Sequence, residues 1–135
     1  EPEKVEASAI FSEEKIDKLT SVVMEFADGK KAAFTCGMTL ATDQDRRLDR
    51  LEIDGTKGSI TGTKFSFNGD GELSYMIRTA EGQEEVKTVE VPQNYRLEVE
   101  QFGRCIDENE IPEVTEEFSL KNARLVERIL EEIGY

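Results

Sequence analysis

Histidine is absent from all 135 residues. That absence excludes Ser–His and Cys–His nucleophilic pairs, imidazole acid–base chemistry and any metal site that takes a histidine ligand from this chain. Cysteine is scarce. Cys36 and Cys105 stand far apart, outside any metal-ligand spacing, and each sits in an apolar stretch, so two buried free thiols are expected. No apolar run approaches the roughly 18 residues of a membrane span. No signal-peptide pattern opens the chain, so a cytoplasmic location is expected. Cations are also in short supply, with 17 Lys and Arg against 30 Asp and Glu, a net charge of −13. A polyanion is repelled by such a surface, which excludes nucleic acid and anionic membrane as expected partners. The charge itself reads as solubility.

What is present is an apolar fraction of 37% beside a charged fraction of 35%. The apolar residues fall in periodic blocks, which marks a globular chain. Its length suits a single domain over 1–135, large enough to bury roughly two-thirds of its unfolded surface.

The first ninety residues alternate with the period of strands. Val5, Ala7, Ala9 and Phe11 share one face. Val22, Met24 and Phe26 lead to Asp28-Gly29, a tight hairpin turn in which Gly accepts positive φ. Ala32, Phe34, Cys36 and Met38 return from it. The opposite face of that strand carries Ala33, Thr35 and Gly37, small residues that let another layer approach closely. After the polar connection Thr42–Arg47, strands are expected through Leu51 and Ile53, from Gly58, through Phe65 and Phe67, through Leu73, Tyr75 and Ile77, and through Val86, Val89 and Val91 to Pro92. Asp54-Gly55 and Asn68-Gly69-Asp70-Gly71 punctuate them.

The last forty residues change period. Tyr95, Val99, Phe102 and Ile106 are spaced four, three and four apart and fall on one helical face. The helix is expected to stop near Asn109, before Ile111-Pro112. Thr115 suits an N-cap, with Glu116 and Glu117 in the first turn where carboxylates favour the helix dipole. Phe118, Asn122, Leu125, Ile129 and Ile133, with Val126 alongside, form the expected buried stripe of a second helix ended by Gly134. Strands followed by helices give the α+β class: an open, mostly antiparallel sheet with two C-terminal helices packed on one face.

Three patterns suggest chemistry, and each reads more simply as structure. Gly55-Thr56-Lys57-Gly58-Ser59 lacks the four-residue spacing of a P-loop and runs on into a strand, so it is a hairpin turn. Asn68, Asp70 and Glu72 open like a calcium loop, but Leu73 and Thr79 fill the positions that need Gly and an acid. The pairs Glu98 and Glu100, Glu108 and Glu110, and Glu131 and Glu132 suit solvated helix faces. No G-x-G-x-x-G links a strand to a helix. The residues alone contain no catalytic constellation.

Four ordered stretches nevertheless resemble the C-terminal domain of the Gfo/Idh/MocA oxidoreductases, relatives of glucose–fructose oxidoreductase and inositol dehydrogenase. They are Met24–Phe34 around Asp28-Gly29; Leu51–Ile60, similar to an E-I-x-G-x-x-G strand–turn–strand; Tyr95–Phe102 with Cys105-Ile106; and Pro112–Thr115 leading to Ala123 and Val126. The resemblance implies a missing N-terminal Rossmann domain that binds NAD or NADP and carries Glu-Lys-Pro and Asp-x-x-x-His motifs. This chain has neither motif. Glu1-Pro2-Glu3-Lys4-Val5 resembles the seam that opens the sheet, and the lack of an initial methionine agrees with it.

By that resemblance the parent is an NAD(P)-dependent dehydrogenase of a sugar, cyclitol or related polyol. This chain supplies a wall of the substrate site and an oligomer interface, such as that of a dimer, through the open sheet face. It holds no catalytic, cofactor-binding or metal residue and is expected to be inactive alone. The expected interface includes Ala33, Thr35 and Gly37. Arg46 and Arg47 are the candidate substrate donors, because a guanidinium forks to a hydroxyl or carboxylate. The alternative reading is a non-catalytic oligomerisation or ligand-binding module.

Overall fold

The computed structural model describes residues 1–38, 50–63 and 71–135. Arg46 and Arg47, with the rest of Thr42–Arg47, lie outside the described residues, as do Phe65, Phe67 and Asn68-Gly69-Asp70. Among the described residues seven strands precede two helices: β1 (Lys4–Phe11), β2 (Asp17–Glu25), β3 (Lys31–Gly37), β4 (Leu51–Gly55), β5 (Gly58–Thr63), β6 (Gly71–Thr79), β7 (Glu84–Val91), α1 (Asn94–Asp107) and α2 (Glu116–Ile133). All strand pairs are antiparallel, so the α+β class holds. The strands form two sheets, β1-β2-β3 and β4-β5-β6-β7. The chain divides into two compact units, Glu1–Leu48 with Glu113–Tyr135, and Asp49–Pro112.

In the first unit, Val5 lies opposite Met24, which lies opposite Ala32, and Ala7 lies opposite Val22, which lies opposite Phe34. Period two therefore puts the apolar set on one face. Val5, Val22 and Met24 are buried, and Leu125 and Ile129 of α2 pack on them together with Ala7, Phe26 and Ala32. Burying a side chain such as Val22, which is 1% exposed, contributes about 2 kcal/mol. Thr20 is buried on the same face, its hydroxyl donating to Asp17 at 3.2 Å.

The turn at Asp28-Gly29 forms as expected. Gly29 has φ +79° and its N–H donates to the Phe26 carbonyl at 2.9 Å, while Asp28 Oδ1 accepts from Lys30 N–H. Thr115 caps α2 by accepting from Phe118 N–H at 3.2 Å, and Gly134 ends it in the left-handed region at φ +78°. The expected stripe of α2 is buried only in part. Phe118 is 61% exposed and Val126 47%. The thiols also differ from expectation: Cys36 is exposed and Cys105 half-buried. Cys36 lies near the end of β3, an outer strand among the described residues, where Thr20 is its one strand partner.

In the second unit, Gly55 pairs with Gly58 around the two-residue turn Thr56-Lys57. Gly58 has φ +144°, and a Cβ there would lie 2.1 Å from the Arg78 carbonyl oxygen. The second glycine of this turn is thus required by the neighbouring strand β6. α1 starts after Pro92 with the Gln93 side chain accepting from Arg96 N–H at 2.6 Å. It ends at Glu108, beside Asn109 at φ +56°. Its apolar stripe forms as spaced, yet no α1 residue is buried.

Candidate functional site

The small residues of β3 lie on the face of the three-stranded sheet opposite α2. Cross-strand register builds that face in rows: Lys4, Glu25 and Lys31; Glu6, Val23 and Ala33; Ser8, Ser21 and Thr35; Ile10, Leu19 and Gly37. Ala33, Thr35 and Gly37 are all exposed. Val23 is 47% exposed and Ile10 60%. The Ser21 and Thr35 hydroxyls are 3.0 Å apart and satisfy one another. Gly37 has a reason of its own to be glycine, because a Cβ there would come within 2.4 Å of the Lys18 carbonyl oxygen.

Charge gathers at one rim of this face. Lys31 and Glu25 pair at 3.1 Å, and Lys4 and Glu6 at 2.6 Å. The Lys4 hydrogen bond holds the Glu6 carboxyl below its ordinary range, and Glu6 raises Lys4 in return. The surface is therefore weakly polar and bordered by self-paired ions. Such a surface suits docking rather than bond-breaking, since no group on it is activated as a nucleophile or placed as an acid–base pair.

The glutamate pairs separate as solvated surfaces do. Glu100 binds Arg96 at 2.8 Å and Glu110 binds Arg104 at 2.6 Å. Among the described residues no group of three or more Cys, Asp or Glu is gathered to hold a metal ion. The glycines do not fit a dinucleotide cradle either. Gly55 and Gly58 join two antiparallel strands, whereas α1 is entered through Pro92-Gln93 and α2 through Thr115. A phosphate cradle needs the glycine turn at a helix N-terminus.

Two features escape the sequence patterns. Arg128 donates to the Pro2 carbonyl at 2.8 Å and to the Glu3 carbonyl at 2.9 Å, fastening the start of the sheet to α2. Backbone acceptors so distant in the chain leave no residue signature. α2 also has a second apolar face, Leu120, Ala123, Val126 and Leu130, which lines an open groove. Its spacing of three, three and four was available to a helical reading but was masked by the stronger stripe.

With this arrangement in view, comparison with known families is decisive: residues 2–133 match the oxidoreductase family's C-terminal alpha/beta domain. The chain belongs to the Gfo/Idh/MocA family. No curated protein matches the chain. The match spans nearly the whole chain and contains all four motif stretches. In this domain the E-I-x-G-x-x-G turn is the β4–β5 hairpin, and Tyr95–Phe102 lies in α1. No helix among the described residues is long and apolar enough to cross a membrane.

Proposed function

We propose that this Gfo/Idh/MocA C-terminal domain serves a cytoplasmic NAD(P)-dependent oxidoreductase of a sugar, cyclitol or related polyol. In this reading the nicotinamide is held by a separate Rossmann domain and supplies the redox chemistry. The present chain provides one wall of the substrate site, with Arg46 and Arg47 as hydrogen-bond donors, and carries no catalytic group. The face bearing Ala33 and Thr35 meets a second copy as a symmetric contact. The observation that carries the reading is the family match over residues 2–133.

The test uses the polypeptide that joins this domain to its Rossmann domain. Nicotinamide reduction in the presence of a panel of sugars and cyclitols is the expected result. Tight NADH binding with no turnover of any polyol overturns the substrate class. The 135-residue chain alone is expected to give no saturable calorimetric signal with NADH or NADPH, and micromolar binding by it contradicts the division of labour. Thr35→Arg, at an exposed position, is expected to weaken self-association through the sheet face without loss of helicity.

A further inference from the structure

Among the described residues β7 is paired on one side only, by β6, and it stands at the end of its sheet. An outer strand presents unpaired N–H and C=O groups that can accept another strand. The hairpin register shows which residues present them. Thr79 N–H donates to Gln83 O at 2.8 Å, while Ala80 N–H donates to Lys57 O on the opposite side at 3.0 Å. Ile77 pairs with Glu85, and the register runs without a shift from Arg78 and Glu84 to Gly71 and Val91. Backbone direction alternates along an antiparallel strand. Glu85, Lys87 and Val89 therefore turn their backbone groups to β6, and Glu84, Val86, Thr88 and Glu90 turn theirs outward.

The usual protections of an outer strand are a proline, a bulge or unmatched charge. β7 has no proline and no bulge in its eight residues. Val86, with outward backbone groups, is 66% exposed. The charges on β7 act against unrelated strands but are self-complementary. Two copies of one strand, related by a two-fold axis normal to the sheet, place one residue opposite itself; centring on Glu84, Glu85 or Lys87 sets like charges together, and centring on Val89 forms no ion pair. Centring on Glu90 puts two carboxylates together. Centring on Thr88 sets Lys87 against Val89 and Glu85 against Val91. Centring on Val86 sets Glu85 against Lys87 of the second copy, twice, at the closely spaced non-hydrogen-bonded positions, and Glu84 against Thr88.

We propose that β7 pairs with β7 of a second copy of this chain, antiparallel and centred on Val86, to join two four-stranded sheets edge to edge. Glu85 and Lys87 already pair within the chain, with both side chains substantially exposed. The contact lets them bridge the copies without deep desolvation. It is a different surface from the face of β1-β2-β3, and it does not depend on the enzymatic reading.

Light scattering of the Thr35→Arg chain, whose sheet-face contact is weakened, at physiological salt and high micromolar concentration is expected to report a dimer. Val86→Pro removes an N–H that the β6–β7 ladder does not use, so it preserves the circular dichroism spectrum and abolishes the β7 contact. Glu85→Lys and Lys87→Glu each place like charges opposite one another and are expected to weaken association about tenfold. Mixing those two variants restores attraction at both positions and returns the dimer as a heterodimer. This readout holds even if Val86→Pro fails to fold. A chain that stays a monomer throughout, an association unmoved by Val86→Pro, or two charge variants that do not recover on mixing overturns the proposal.

Discussion

Gly58 and Gly29 both have positive φ, yet they meet different surroundings. At Gly29 nothing lies within 4 Å of an added Cβ, whereas at Gly58 the Arg78 carbonyl oxygen is 2.1 Å away and belongs to the backbone of β6. Gly29→Ala is expected to cost about 1 kcal/mol for the left-handed conformation alone. Gly58→Ala adds a clash that a strand can relieve only by moving, and is expected to cost about 3 kcal/mol. Urea denaturation of the two variants measures the difference, and equal losses would remove the steric account of the turn. At the same scale, the Lys121 hydrogen bond holds the Glu117 carboxyl below its ordinary range. A lowered carboxyl contributes stability above the unfolded-state value and loses it as pH falls through the folded one. Carbon-detected NMR titration is therefore expected to show the Glu117 midpoint below that in Lys121→Met, with the pair's contribution disappearing on the acid side.

α1 separates propensity from packing. Tyr95, Val99, Phe102 and Ile106 are 49%, 72%, 68% and 63% exposed, and Gly103 beside them has nothing within 4 Å of an added Cβ. A glycine inside a helix costs up to about 1 kcal/mol relative to alanine, so Gly103→Ala is expected to raise the stability of this chain by that amount in thermal unfolding. A loss of stability instead would mean that this side of α1 is closely packed. The helices and turns were legible because their signals are local: Thr115 needs only the next turn to cap, and Asp28-Gly29 only its own hairpin. The burial of the helix stripes was not, because a spacing of four, three and four names a face without naming what covers it. Leu125 and Ile129 meet Val5, Val22 and Met24, while the equally regular stripe of α1 remains exposed. The expected burial of Cys36 failed for a related reason, since apolar neighbours in sequence do not distinguish an outer strand from a central one. The candidate interface was legible only as a set of small side chains; the rows that join Ala33 to Val23 and Thr35 to Ser21 depend on register, which is fixed by the whole hairpin.

For the whole molecule, the decisive contrast is between a domain that contributes contacts and one that merely carries an interface. Among the described residues the face bearing Ala33 and Thr35 carries no activated nucleophile, so a contribution to substrate recognition by Arg46 and Arg47 is expected first as binding. An arginine that donates to a substrate hydroxyl or carboxylate forms a hydrogen bond from a charged group, and losing one such bond costs about 1.5–3 kcal/mol. In the polypeptide that joins this domain to a Rossmann domain, Arg46→Ala and Arg47→Ala are therefore measured separately by kcat/KM for the substrate that the proposed reaction turns over. The donating residue is expected to show a ten- to hundredfold loss, of the size set by that free energy. If the bond forms equally in the bound ground state and the transition state, the loss falls on KM with kcat kept; if it tightens as the oxygen changes charge, kcat falls as well. The affinity for NADH is the control, because a donor to the substrate leaves cofactor binding unchanged. Wild-type kcat/KM in both variants would assign the two arginines to neutralising Asp43, Asp45 and Asp49 and would place every substrate contact outside this stretch.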